Sequence, residues 1–168
     1  MRTLYIDTYM NEMAIARASV EEAGEILRLQ KTAYVSEAEL IDDFTIPPMK
    51  QTMDEILSEF TRQIFLTVTR DNKIVGSVRV YEEKGTCYIG KLIVHPDYQN
   101  SGIGTRLLHE AEKQFPDAER YELFTGQKSQ RNLHLYGKNG YSVFREKQVS
   151  EKLTLVFLEK VNKSSNRH

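Results

Sequence analysis

The chain has 168 residues, 40% of them hydrophobic and 28% charged, with 23 Lys and Arg against 24 Asp and Glu for a formal charge of −1. This is one domain's length; the composition excludes a disordered or fibrous chain, and the balanced charge excludes nucleic-acid binding driven by bulk basicity. No apolar run nears the roughly 18 residues that span a bilayer, no apolar signal-peptide core stands at the N-terminus, and the single cysteine, Cys87, has no internal disulfide partner, so the expected compartment is the cytoplasm.

Residues 1–12 alternate weakly and read as an N-terminal extension, with the domain at 13–161 and a polar, frayed tail at 162–168. A short strand, Ala14–Ala18, leads to a capping box at Ser19-Val20-Glu21-Glu22, and Ala23, Ile26, Leu27 and Leu29 then recur at helical spacing to about Ala33. Residues 34–48 carry Phe44 and Pro47-Pro48 without a period and read as a loop or irregular helix. A second capping box, Thr52-Met53-Asp54-Glu55, opens a helix whose apolar residues are Met53, Ile56, Leu57 and Phe60.

From there the period changes to two. Ile64–Thr69 and Lys73–Tyr81 form a hairpin across Asp71-Asn72, and Thr86–Val94 follows the turn at Glu83-Lys84-Gly85. After a polar turn comes a helix with Leu107, Leu108, Ala111 and Phe115 buried, stopped by Pro116. Tyr121–Thr125 is a strand, Asn132–Asn139 a short helix closed by Gly140, and Ser142–Lys147 and Lys152–Val161 the last strands. The order β-α-α-β-β-β-α-β-α-β-β is that of a mixed α/β domain.

The stretch Leu92-Ile93-Val94-His95-Pro96-Asp97-Tyr98-Gln99-Asn100-Ser101-Gly102-Ile103-Gly104-Thr105 runs from strand through turn into helix. Unpaired amides and the positive end of the macrodipole collect at a helix start, and glycine there lets an anion approach, so this turn can cradle a phosphate. It is not a dinucleotide fingerprint, whose third small residue falls on Leu107, nor a P-loop, because Thr105-Arg106 follows Gly104. Taken alone, the glycines could equally serve a tight turn.

Two segments widen that reading. Gln99-Asn100-Ser101-Gly102-Ile103-Gly104 fits the Gln/Arg-x-x-Gly-x-Gly/Ala signature of the GNAT N-acetyltransferase superfamily, between the fourth strand and third helix. Leu135-Tyr136-Gly137-Lys138-Asn139-Gly140-Tyr141 fits its Leu-Tyr-x-x-x-Gly-Phe/Tyr segment, and Leu92–Pro96 matches its usual strand ending. The chain therefore resembles this superfamily over residues 14–158. The resemblance implies an α/β fold with a mixed, mostly antiparallel sheet of six or seven strands, about four flanking helices, and splayed fourth and fifth strands.

The same resemblance implies acetyl-CoA as donor and a primary amine as acceptor, with transfer by direct attack in a ternary complex. Backbone amides of Asn100, Ser101, Gly102, Ile103, Gly104 and Thr105 would hold the pyrophosphate beside Gln99. Leu92, Ile93 and Val94 would pair with the pantetheine arm, a backbone amide there polarising the thioester carbonyl. Tyr136 stands at the general-acid position; a phenol with a pKa of ~10 stays protonated at neutral pH. Many relatives carry Asn where this chain has Ser129, and Asn132 is either a substitute polar contact to the cofactor or a helix N-cap.

No general base is nominated. The strand positions where relatives carry one are Tyr88, Gly90 and Phe124, with Glu122, Glu82 and Glu83 nearby. The four histidines have no metal-ligand spacing and no metal is expected; Cys87 reads as a core residue. Residues 34–52 are expected to shape the acceptor site through Tyr34, Phe44, Pro47 and Pro48, with Glu37, Glu39, Asp42 and Asp43 either attracting a cationic amine or forming a solvated loop. The acceptor is a small molecule or a protein amine, the assembly a monomer or homodimer. A non-catalytic acyl-CoA-binding or regulatory module is the alternative.

Overall fold

The computed structural model describes residues 14–166; the extension assigned to residues 1–12 lies outside them. Among the described residues, seven strands form one sheet in the order β1-β2-β3-β4-β5-β7-β6. They are β1 Ile15–Arg17, β2 Ile64–Arg70, β3 Lys73–Glu83, β4 Thr86–Val94, β5 Arg120–Gly126, β6 Ser142–Gln148 and β7 Thr154–Val161. The helices are α1 Ala23–Ala33, α2 Val35–Ile41, α3 Met53–Phe60, α4 Ile103–Lys113 and α5 Gln130–Lys138, with a single turn at Pro47–Lys50. Only β4 and β5 are parallel; every other neighbouring pair is antiparallel. The mixed, mostly antiparallel sheet and its flanking helices agree with the expected fold class.

Local chemistry explains most boundaries. Thr52 Oγ1 accepts the Glu55 amide at 3.2 Å while the Glu55 carboxylate accepts the Thr52 amide, starting α3 as a capping box does. Asp71 and Asn72, with φ of 52° and 63°, turn the β2–β3 hairpin in the left-handed conformation those residues tolerate. Of the two readings of residues 34–48, loop or irregular helix, the second holds: α2 follows α1 through the shared residue Tyr34 and ends where Asp42 turns left-handed at φ 51°. This helix has seven residues and buries Ala38 and Ile41, too little to show a period. Strand β7 starts at Thr154, two residues after the expected Lys152, because Ser150 Oγ accepts the amides of Lys152 and Leu153 in a turn.

The sheet is covered on both faces. On one, α4 buries Ile103, Leu107, Leu108 and Ala111 against Val78, Val80, Leu66 and Leu123. On the other, α1 and α3 bury Ile26, Leu29 and Ile56 against Phe65, Ile74 and Ile93. Arg79 alternates to this second face and is 2% exposed. Its guanidinium lies 4.6 Å over the Phe65 ring and donates to Gln30 of α1, Gln51 and Glu59 of α3. One buried cation thus ties two helices and the segment after the Pro47–Lys50 turn to the sheet.

The tail is not frayed where it leaves β7. Asn162 is 8% exposed, and its amide donates to the carbonyls of Pro116 and Ala118 at 2.8 Å each. Asn162→Ala leaves those carbonyls unpaired and is expected to cost about 1–3 kcal/mol. The measurement is a lower urea midpoint with an unchanged slope.

Candidate active site

The sheet opens along one line. β4 and β5 pair only through Thr86–Arg120, Cys87–Tyr121 and Tyr88–Glu122, although β4 continues to Val94 and β5 to Gly126. The cause lies on β4's other side. Between the pairs Arg79–Gly90 and Ser77–Ile93, β4 carries one residue more than β3, and Lys91 takes φ 45° to absorb it. Such a bulge bends the strand that carries it. Past Tyr88, β4 stays on β3 and leaves β5, so its β5-side edge faces a gap.

Two cavities meet at this gap. The first is a groove of about 430 Å³, lined by Leu92, Ile93 and Val94 of β4, by Gln99, Asn100, Gly102, Ile103, Gly104 and Thr105, and by Asn132 of α5. Every residue expected to bind the cofactor therefore lines one groove except Ser101, whose hydroxyl turns back to donate to the Tyr98 carbonyl. The first intrahelical bond of α4 runs from the Arg106 amide to the Gly102 carbonyl, so helix geometry gives the amides of Ile103, Gly104 and Thr105 no partner within the helix. Gly102, which lines the groove, holds φ 84°, and a Cβ there would meet nothing within 4 Å. Gly104 packs tightly instead: its Cβ would meet Leu135 of α5 at 3.3 Å.

Asn132 is not an N-cap. The helix starts two residues earlier than the sequence suggests, Ser129 holds the cap position, and the Asn132 amide donates to Thr125 Oγ1 at 3.1 Å. Tyr136, on the same helix, is 4% exposed and packs its ring on Tyr141 with centroids 6.2 Å apart. It lines neither cavity's wall. Burial pushes its phenol above the ordinary value, and Tyr34 and Glu37 push it further in the same direction.

The second cavity is a chamber of about 700 Å³ on the other side of the gap. Rings and aliphatic side chains dominate its wall, among them Tyr81, Tyr88, Phe124, Phe157 and Leu153. Tyr81 and Tyr88 stack at 5.0 Å across the β3–β4 pair. Strand β5 is regular, so Glu122 and Phe124 share a face toward the chamber, and Arg120 pins Glu122 at 3.0 Å. Of the acidic residues expected near the acceptor, only Glu37 reaches the chamber. Asp42 points to solvent near Lys152, Asp43 is held by Thr45, and Phe44 is 50% exposed.

Tyr34 and Glu37 line both cavities. Burial pushes the Tyr34 phenol up to about 12, against the opposing pull of Arg79 and with Glu37 adding to the rise. The Glu37 carboxylate accepts a hydrogen bond of 2.8 Å from Ser129 Oγ. The sequence reading put Glu37 into a general acidic cluster and assigned Ser129 no role; their juxtaposition across the gap depends on α2, which shows no period. Cys87 is wholly buried, and burial pushes its thiol up to about 12, which removes it as a nucleophile at neutral pH. Among the described residues, no group of three or more His, Cys, Asp or Glu side chains could hold a metal ion, and no helix is long and apolar enough to cross a membrane.

A profile of the Acetyltransferase (GNAT) family matches residues 25–141. A curated relative, UPF0157 protein YqkA of Bacillus subtilis, is 29% identical over 133 residues, which cover 79% of this chain and 38% of that protein. The chain thus spans well under half the length of that relative. Among solved structures, the PaiA N-acetyltransferase of Thermoplasma acidophilum, in complex with coenzyme A, superposes with a TM-score of 0.72 at 18% identity, over 89% of this chain and 98% of that one. A GNAT-family acetyltransferase of Streptococcus pneumoniae gives 0.71 at 20% identity, over 89% and 99%. At these identities the likeness is one of fold.

Proposed function

The chain belongs to the acetyltransferase (GNAT) family, and from that premise we propose that residues 13–161 form an N-acetyltransferase that moves the acetyl group of acetyl-CoA to a primary amine by direct attack in a ternary complex. The observation that carries this is the gap between β4 and β5, with an amide-lined groove on one side and a separate chamber on the other. Bound in the groove, acetyl-CoA supplies an acetyl group activated as a thioester. Coenzyme A fits the residues present. Gly102 leaves open the space a side chain would fill, and the amides of Ile103, Gly104 and Thr105 would receive the pyrophosphate at a helix N-terminus. Gln99 braces that turn through its bond to the Val94 carbonyl at 3.2 Å, with Asn100 and Ser101 completing it. The open edge of Leu92, Ile93 and Val94 would pair with the pantetheine arm and offer an amide to the thioester oxygen. Asn132 lines the same groove as a polar contact.

Tyr136 stands at the family's general-acid position and would give its proton to the departing sulfur: it lines neither cavity, but its phenol feels the charges of Tyr34 and Glu37, which line both. Its phenol stays protonated at neutral pH, and a thiolate leaving into the same dry surroundings gains basicity from the same desolvation. The chamber's rings and aliphatic walls, with Glu37 as a carboxylate outside any ion pair among the described residues, suit a small cationic amine with an apolar body. The free, buried Cys87 thiol fits a reducing cytoplasm, where the enzyme would act as a monomer or homodimer.

The test is thiol release from acetyl-CoA against a panel of primary amines that includes 2-phenylethylamine, spermidine and a peptide N-terminus. Turnover on the arylalkylamine above the others is the expected result. One observation favours a second reading, a non-catalytic acyl-CoA-binding module: Tyr88 and Gly90 stand where relatives carry a base. Tight coenzyme A binding with no turnover on any amine would establish that reading instead. The cradle has its own check. Gly102→Val must strain or leave the left-handed conformation, at about 1–2 kcal/mol, and would push a side chain into the groove. Coenzyme A affinity by calorimetry should fall at least about tenfold, a loss of about 1.4 kcal/mol.

A further inference from the structure

We propose that Glu37 is the general base of this reaction, accepting the acceptor's ammonium proton where the groove and the chamber meet. The inference rests on the acetyltransferase reading above. Four carboxylates line the chamber, and three have other work. Glu55 closes the capping box with Thr52, Glu59 pairs with Arg79 and Lys91, and Glu122 is ion-paired to Arg120 at 3.0 Å. A carboxylate already engaged by a guanidinium has its oxygens occupied and is not free to meet a substrate amine. Glu37 makes no ion pair among the described residues, and its Ser129 partner is a neutral hydroxyl, 2% exposed, that fixes one oxygen and leaves the remaining lone pairs free. It is also the only one of the four that lines the groove, where the acetyl group would lie.

The fold holds this group firmly. Glu37 sits in the first turn of α2, one residue before the wholly buried Ala38. Ser129 stands at the N-cap position of α5, the helix that carries Tyr136 two turns later, so one helix positions both the base's partner and the acid. Glu37 is also one of the groups that raise the Tyr136 phenol.

The protons balance as follows. The acceptor ammonium gives a proton to the Glu37 carboxylate, which passes it to water. The nitrogen lone pair forms the C–N bond while the C–S pair withdraws onto sulfur, and sulfur takes the phenol proton of Tyr136. The acylated nitrogen, now strongly acidic, loses its second proton to water, and water reprotonates the Tyr136 phenolate. Ammonium and thioester become amide and thiol, and one proton is released.

The experiment measures kcat/KM against pH for wild type and Glu37→Gln, using acetyl-CoA with 2-phenylethylamine and with its β,β-difluoro analogue, whose much less basic amine is largely neutral just above neutral pH. Glu37→Gln should lose about 10²–10⁴-fold on the basic amine at neutral pH. It should recover as pH rises toward that amine's own pKa and lose less than about tenfold on the fluorinated one. Ser129→Ala should show the same pattern at smaller size, and it carries the test if Glu37→Gln no longer binds coenzyme A by calorimetry. Equal losses on both amines, no loss, or the pattern appearing in Glu122→Gln would overturn the assignment while leaving acetyl transfer intact. A wild-type protein that acetylates no amine would overturn the parent reading, and this one with it.

Discussion

Tyr136→Phe should lower kcat by about 10²–10⁴-fold while leaving acetyl-CoA affinity within about twofold. The substitution keeps the ring, and the ring is what packs: Tyr136 is 4% exposed against Tyr141, so phenylalanine fills the same volume. On the proposed mechanism, what it removes is the proton for the leaving sulfur. An interaction needed only as the C–S bond breaks shows in kcat and kcat/KM together, not in binding. The pH dependence follows from the same burial. Because the phenol is raised above its ordinary pKa of ~10, its acid form persists through the neutral and mildly alkaline range. Wild-type kcat should therefore show no descending limb below about pH 10. Steady-state kinetics beside calorimetry check both points; equal losses in kcat and affinity would make Tyr136 a packing residue only.

The second large effect is on stability. Arg79→Leu should destabilise the protein by about 3–5 kcal/mol, the usual cost of removing one member of a buried ion pair. The lower end is expected, because Glu59 keeps Lys91 at 3.6 Å and some exposure to solvent. The remainder comes from Gln30, wholly buried, whose side-chain oxygen loses its donor. Arg79→Lys restores the charge but cannot reach Gln30, Gln51 and Glu59 together, so it should fall between wild type and Leu. Burial holds the guanidinium below its usual pKa and Glu59 opposes that shift; the group is still a cation at neutral pH. Since Arg79 ties Gln51 and α1 to the sheet, and Tyr34 and Glu37 hang from that end of α1, acetyl transfer should fall further than the unfolded fraction explains. Denaturant titration and activity at matched folded fraction separate the two effects.

Much of this was legible in the residues. Period two marked the strands and period 3.6 the longer helices, and the turn Gln99–Gly104 stood out because its glycines sit between a strand and a helix. What escaped depended on contacts distant in sequence. The bulge at Lys91 leaves no mark in Gly90-Lys91-Leu92, yet it opens the gap that makes the site. Arg79 in Ser77-Val78-Arg79-Val80 reads as the solvent-facing position of an alternating strand, and only the helices packed on that face turn it into a buried hub. Asn132 was ambiguous because one residue type serves both caps and polar contacts, and the helix began at Gln130. Glu39, Asp42 and Asp43 share Glu37's charge, but the path of α2 sends only Glu37 inward.

The most direct measurement follows the acetyl group itself. Protein, isotopically labelled acetyl-CoA and 2-phenylethylamine are mixed for a single turnover, quenched and resolved by mass spectrometry. Direct attack in a ternary complex predicts label in the amide, equimolar thiol and no labelled protein at any time. Label on the protein before the amide, or label that never leaves acetyl-CoA with any amine of the panel, would contradict the account.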